Sequence, residues 1–443
     1  MEIERPHDAA SAKQMRIFSV VNARPRDAVW RHWTISTAFI VHAPVDLLVL
    51  ERAFRATMGK YVEARSIFRD VGGSLRVDTL PTSEFALSGA PTRQHSREEA
   101  LAAARSDAWR GFESFQEPLV ALRVYPVDDG STLIASQVSH LLADGGSMEI
   151  LVNDIMLSYF GGGVASPGGG GPLFSDYVDW EERFLASEEG AAQRQFWRVR
   201  QPPSPTLAAL PYDRPPRDDT IETGGLLRIE AGARETERLA ATSQALGVTP
   251  FATLLAIFLR AISAWSRQDS LSVSIPFSRR HRREFSEMLG DLAVAYPIDS
   301  ALARAATLNE GVRSVSREMQ EMALRQDFPI FTLAPDWRSI GGAPAQGTPG
   351  FPQVLFGPLS GLRHDAFGIS GMMHKPPGSR VAIAGVEVES VGLETAPCGR
   401  DVTMTYVARP HETAFAITYP ADRFAASTIA SLAGAFKDQF MRL

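Results

Sequence analysis

The sequence predicts a mixed protein, α/β or α+β in class, built from two or three packing units. Three observations carry that expectation. Segments rich in β-branched residues alternate with segments of helical periodicity along the whole chain. The 443 residues, 44% hydrophobic and 22% charged, suffice for more than one core of ordinary globular composition. A glycine-rich interruption, Gly161-Gly162-Gly163 followed by Gly168 to Gly171, divides the chain near its first third. Glycines pack nothing and lose the most entropy on ordering, so this is a surface break.

Before the break, Thr34 to His42 reads as a strand. Val45 to Met58 carries Leu48, Leu50, Phe54 and Met58 at helical spacing, and Leu119 to Val127 and Thr132 to Val138 read as strands. Met148, Leu151, Val152, Ile155, Met156 and Tyr159 form the stripe of an amphipathic helix. After the break, Tyr177 to Trp197 reads as one long polar helix. Gln201 to Pro205 and Pro211 to Pro216 read as an extended, proline-rich connection. Thr249-Pro250 is a helix start, a capping hydroxyl before a proline in the first turn, and that helix runs to about Trp265. Leu271 to Pro276 is a short strand and Asn309 to Arg325 a helix. Val354 to Phe356, Val381 to Val388, Val402 to Val407 and Ala414 to Tyr419 are strands, and Phe424 to Phe440 is a terminal helix.

A net charge of -6 argues against general nucleic-acid binding, which calls for a basic face. No run of 18 apolar residues occurs, and the first residues are charged and lack an apolar signal region. The expectation is a cytoplasmic protein with no membrane contact. The single cysteine, Cys398, excludes an intramolecular disulfide and a paired-cysteine metal site. Its setting, Ala396-Pro397-Cys398-Gly399, is a turn, so a structural role is expected and no metal is assigned.

The segment that carries chemistry is Thr132 to Ser147. A strand delivers His140 at its end, a tight turn follows, and a helix begins. Strand ends before such turns are where rigid scaffolds present reactive side chains. An imidazole accepts and returns a proton near neutrality, so it can deprotonate an amine or hydroxyl attacking a thioester carbonyl. Asp144 can catalyse, or it can fold back onto an arginine and lock the loop. The second role is favoured, because a free carboxylate beside the base would keep it protonated. Gly145 and Gly146 admit backbone conformations that a Cβ disfavours. A histidine at a strand end, taken alone, reads as a core residue; its context decides otherwise.

His140-Leu141-Leu142-Ala143-Asp144-Gly145 resembles the HxxxDG motif of condensation domains of nonribosomal peptide synthetases, within the chloramphenicol acetyltransferase-like superfamily. Ordered matches extend the resemblance over nearly the whole chain. Pro44 to Met58 and Glu63-Ala64-Arg65 resemble an early helix and an arginine-bearing turn of that family. Asp176 to Trp180, Phe196-Trp197-Arg198 and Leu210 to Pro215 resemble its following helix and proline-rich stretch. Thr249 to Asp269 resembles its long buried helix, Ser274 to Arg280 the strand and loop ending in its arginine, and Asp401 to Met404 a late strand.

The resemblance implies two acetyltransferase-like subdomains, residues 1–172 and 173–443, in a V-shaped pseudo-dimer with a central tunnel. It implies that His140 is the base or positioning group and that Gly145 lends its N–H to a developing oxyanion. Asp144 pairs with Arg280, and Ser139 and Gly146 are structural. The implied reaction moves an acyl, peptidyl or polyketide chain from the phosphopantetheine thioester of an acyl or peptidyl carrier protein to a small amine or alcohol. No bound cofactor is implied. The chain shows no adenylation or carrier module, so a free-standing, monomeric condensation enzyme is expected. An acyl-CoA-dependent O- or N-acyltransferase is the first alternative and a non-catalytic recruitment domain the second.

Two departures from the family pattern point to an unusual acceptor, ester formation or a specialised tailoring step. Ser139 stands where most peptide-forming members carry a first histidine, and Leu292 to Pro297 replaces an asparagine-containing segment. Other signals carry less. Asp269-Ser270-Leu271 lacks the glycines of a phosphopantetheine attachment site. Arg279 to Arg283 reads mostly as a solvated loop, Arg280 apart. His364 and His374 lie in a Gly/Pro-rich stretch, Gly357 to Pro377, expected to form a mobile strap.

Overall fold

The computed structural model describes residues 10–22, 34–72, 74–164, 172–200, 210–214, 224–333, 354–358, 376–383, 385–393, 400–409 and 411–443. Cys398, His364, His374, most of the expected strap and the glycines at 168–171 lie outside the described residues.

The chain folds into two compact units. One comprises Met1–Phe184, Ser278–Leu292 and Gly361–Ala396; the other comprises Leu185–Phe277, Ala293–Ser360 and Pro397–Leu443. This division differs from the single cut expected after residue 172. The first unit's sheet and its buried polar groups are completed by two segments from much later in the chain, which no linear boundary can capture.

The first unit holds β1 (Thr34–Val41), β2 (Ser66–Val71), β3 (Ser74–Thr79), β4 (Ser88–Gly89), β5 (Val120–Pro126) and β6 (Thr132–Ser139). The second holds β7 (Gly224–Ala231), β8 (Ser272–Phe277), β9 (Val294–Asp299) and β10 (Val354–Pro358). The chain then returns to the first unit for β11 (Arg380–Ile383) and β12 (Val386–Val391), and ends in the second with β13 (Val402–Arg409) and β14 (Glu412–Pro420). The first unit's six-stranded sheet runs β11-β12-β1-β6-β5-β4, with β6 antiparallel to both β1 and β5.

All eight residues of β6 are buried because both faces of this sheet are covered. On one face Phe39, Val41, Leu122, Val124, Ile134 and Val138 share a core with the Leu47–Lys60 and Gly145–Phe160 helices. On the other, Ala38, Ile40, Leu133 and Ala135 pack with Ala100 and Ala104 of the Arg97–Arg110 helix. A strand buried on both faces reads as a nearly continuous apolar run, as Thr132 to Val138 does. β12 is tied to this sheet through Glu389, which accepts hydrogen bonds from Arg97 and Arg380 and lies 2.9 Å from His42 Nε2.

The second unit's sheet runs β7-β14-β13-β10-β8-β9, with β10 parallel to β13 and β8. Its central helix, Pro250–Ser266, starts where Thr249 Oγ1 accepts from Ala252 N at 3.2 Å, and Ala252 to Leu259 are all buried. Two late matches to the family pattern meet in this unit: Tyr212 donates to Asp401 Oδ2 at 2.6 Å, and Arg423 pairs with the same carboxylate. These residues are structural.

Several elements differ from expectation. The long helix expected over Tyr177 to Trp197 is two helices, Phe174–Leu185 and Glu188–Val199, because Ser187 interrupts the first and caps the second through Gly190 N at 3.0 Å. The strand expected over Val381 to Val388 is the β11–β12 hairpin, turned at Gly385 with φ +80°. The Ala12–Asn22 and Ala233–Leu246 helices were not among the expected elements. The Arg97–Arg110 helix was also not expected, although its Ser96/Glu99 capping box is a sequence signal for a helix start. Among the described residues, no single helix is long and apolar enough to cross a membrane.

Candidate active site

The turn after β6 is built from the inside outward. Ser139, the last residue of β6, is buried, and its Oγ accepts from Leu141 N at 3.2 Å. Leu142 N and Ala143 N both donate to Ser139 O. Leu141, Leu142 and Ala143 are buried apolar anchors, and Gln14 Nε2 donates to Leu141 O at 2.8 Å. Four fixed residues therefore surround His140, whose own side chain keeps 31% of its surface exposed. Ser139 thus accepts hydrogen bonds from three backbone N–H groups of the turn.

Asp144 is the N-cap of the Gly145–Phe160 helix, in extended backbone geometry. Its Oδ1 accepts from Ser147 N at 2.9 Å and from Arg280 Nη2 at 2.9 Å, and its Oδ2 accepts from Leu292 N at 3.2 Å. The Asp144 and Arg280 side chains are only 4% and 6% exposed. The expected pair is thus present as a buried ion pair. Arg280 Nη2 also donates to Ser147 Oγ at 2.8 Å and Met288 O at 3.1 Å. Ser147, fully buried, donates to Gly290 O at 2.7 Å and accepts from Gly290 N at 2.9 Å. This network ties the 278–292 segment to the helix start, so the turn presenting His140 rests on a rigid polar base.

The two glycines differ in what they permit. A Cβ on Gly146 would stand 3.2 Å from Arg280 Nε, so that glycine makes room for the guanidinium. Gly145 is exposed, and a Cβ there would meet nothing within 4 Å. Nothing in the fold requires a glycine at 145. Its N–H is among the first of the helix, which have no intrahelical acceptor and lie at the positive end of the helix dipole. That N–H can receive a developing oxyanion.

Five residues of this neighbourhood escaped the sequence reading. Asp291 has a fully buried side chain whose Oδ1 lies 3.8 Å from His140 Nδ1 and 2.5 Å from Lys13 Nζ. Lys13 and Gln14 lie on the Ala12–Asn22 helix, which was not anticipated. Ser147 stood inside the quoted motif segment without a role. Gly290 is required by packing, because a Cβ would fall 2.2 Å from Phe174 Cδ2. Next to the turn, a cavity of about 30 Å³ is lined by Gln14, Glu63 and Leu142, among others. Burial raises the Glu63 carboxyl above its usual range, although its Oε1 accepts from Phe174 N at 3.0 Å. Among the described residues, no group of three or more His, Cys, Asp or Glu is placed to hold a metal ion.

With this geometry in place, comparison with known proteins identifies the family. Residues 9–339 match the family model described as Condensation domain. The chain belongs to the condensation-domain family. A linear gramicidin synthase polypeptide of Brevibacillus parabrevis is 24% identical over 438 residues, 97% of this chain. Phosphinothricin tripeptide synthetase PhsC of Streptomyces viridochromogenes is 24% identical over 315 residues, 69% of this chain. The chain spans 5% and 29% of the lengths of these two relatives.

Among solved structures, the X-domain from teicoplanin biosynthesis aligns with a TM-score of 0.80 and 18% identity, covering 100% of this chain and 96% of its own. The complex of that X-domain with OxyB gives a TM-score of 0.78, 19% identity and coverage of 99% and 94%. The first condensation domain of the calcium-dependent antibiotic synthetase, with a substrate analogue bound, gives 0.72, 16% identity and coverage of 98% and 95%. The mixed α/β architecture is therefore the chloramphenicol acetyltransferase-like fold of condensation domains.

Proposed function

We propose that this condensation domain is an acyltransferase that moves an acyl, peptidyl or polyketide chain from a carrier-protein phosphopantetheine thioester to a small amine or alcohol. The observation that supports the reading is the intact presentation of His140. The side chain is partly exposed, on a turn locked from beneath by the buried Asp144–Arg280 pair. His140 takes the proton of the attacking N–H or O–H as the new C–N or C–O bond forms. The C–S bond of the thioester then breaks, and the proton passes to the departing thiolate. Gly145 N–H receives the oxyanion of the intermediate. The reaction asks for no resident cofactor.

A second reading, a recruitment domain without turnover, is favoured by one observation: the likeness to an X-domain whose structure was solved in complex with OxyB. The test follows intact mass. The protein is incubated with acyl-loaded carrier proteins, or with the corresponding acyl-CoA thioesters, and a panel of amines and alcohols. Transfer from the carrier, reduced by about 100-fold or more in His140→Ala with folding retained, supports the proposal. Full activity of that variant removes the base role. Equal use of acyl-CoA supports a CoA-dependent transferase, and stable binding of a tailoring enzyme without any transfer supports recruitment.

A further inference from the structure

His140 is not alone with its turn. One carboxylate oxygen, Asp291 Oδ1, stands 3.8 Å from His140 Nδ1 and 2.5 Å from the Lys13 ammonium. Asp291 has no exposed side-chain surface and Lys13 only 17%. The three residues come from separate elements: the turn after β6, the 278–292 segment and the Ala12–Asn22 helix. Other buried charges on these elements and the adjoining helices have partners of their own. Asp144 pairs with Arg280, Glu181 stands 3.6 Å from Arg279, and Asp154 is held by Lys60 and Tyr61. Glu149 is also buried, on the Gly145–Phe160 helix.

A buried carboxylate facing Nδ1 does two things to an imidazole. It favours the tautomer with the proton on Nδ1, which leaves Nε2 as the proton acceptor. It also stabilises the imidazolium, which would leave the base protonated at neutral pH. At 3.8 Å the carboxylate acts on the ring through its charge and not through a hydrogen bond, and a cation on the same oxygen offsets that charge. We propose that Asp291 is the positioning residue of His140 and that Lys13, on the same carboxylate oxygen, tempers the charge that Asp291 presents to the ring. The proposal rests on His140 being the base, and it adds a carboxylate–cation pair that sets the pH at which the base works.

The experiment reads His140 directly in the full chain, by NMR titration of labelled histidine and by long-range proton–nitrogen spectra that report the tautomer. It is paired with the pH profile of kcat/KM for carrier-dependent transfer. In Lys13→Met, Asp291 acts on the ring without the Lys13 cation, while Arg16 on the same helix, with buried guanidinium nitrogens, is unchanged, so His140 should titrate about one unit or more higher, with the acid limb of the rate profile moving equally. In Asp291→Asn, His140 should titrate lower and lose its preference for the Nδ1–H tautomer, and kcat should fall at least about tenfold with KM little changed. Lys13→Arg, which keeps the cation, should restore wild-type behaviour; this rescue separates charge from packing. Titration of His140 within about 0.3 unit of wild type in both Lys13→Met and Asp291→Asn would overturn the proposal. A wild-type protein that transfers no acyl group would instead defeat the functional reading, and the titration would still decide this one.

Discussion

Removal of the Arg280 guanidinium is the sharpest test of how the candidate site is held. Arg280 Nη2 lies within 3.5 Å of four acceptors: Asp144 Oδ1, Ser147 Oγ, Met288 O and Gly290 O. In Arg280→Met the apolar stem is kept and the charge is lost, leaving the Asp144 carboxylate buried at 4% exposure. Breaking a buried pair from one side costs about 3–5 kcal/mol. Asp144 retains backbone donors from Ser147 and Leu292, at 2.9 and 3.2 Å, which places the expected loss near the lower figure. Asp144→Asn leaves Arg280 charged among neutral acceptors and should cost a comparable amount. The double variant should cost less than the sum, with a coupling of about 1–3 kcal/mol. The assay is equilibrium guanidinium unfolding followed by tryptophan fluorescence and near-ultraviolet dichroism. Trp180 is a local reporter, since its ring packs 5.2 Å from Phe285 in the segment that carries Arg280. Because the chain has two units, each transition is fitted separately. A single variant within about 1 kcal/mol of wild type, or full additivity in the double variant, would refute the lock.

Two further outcomes follow from the geometry. Gly145→Val adds, on an exposed residue, a Cβ that meets nothing within 4 Å, so stability should change by no more than about 0.5 kcal/mol while acyl transfer falls sharply; unchanged transfer in a thermal-shift-normal variant would show that no substrate approaches the helix start. Burial alone would raise the Glu389 carboxyl, but hydrogen bonds from Arg97 and His42 and the Arg97 and Arg380 charges outweigh it and hold the carboxyl below its usual range. A lowered folded-state value contributes stability that is present in full above the unfolded value of 4.5 and is lost as pH falls through the folded one. Melting curves from pH 7 downward should therefore show a weaker acid loss in Glu389→Gln than in wild type, and parallel curves would contradict this.

The local features of the site were legible in the sequence because they are written in adjacent residues. Strand β6, the turn at His140, the capping aspartate and the helix after it are set by an apolar run, two glycines and a helical stripe within 30 residues. The partner Arg280 was reachable only through family resemblance, since no local rule selects it from the five-residue run Arg279 to Arg283. The geometry shows why it is the one: Arg280 reaches Asp144, whereas Arg279 lies 3.6 Å from Glu181.

The remainder depended on contacts between residues far apart in the chain. A lysine at position 13 and an aspartate at 291 look like ordinary surface charges in the sequence, and only folding places them together beside His140. The β11–β12 hairpin belongs to the first unit's sheet because β12 pairs with β1, from which it is separated by some 350 residues. Hydrophobic periodicity specifies which face of an element is buried and says little about which distant element covers it. The sequence by itself determined many of the elements, the histidine at the end of β6 and the capped helix that follows it. The tertiary structure decided which charges surround that imidazole, because burial and pairing of charge are properties of the assembled core.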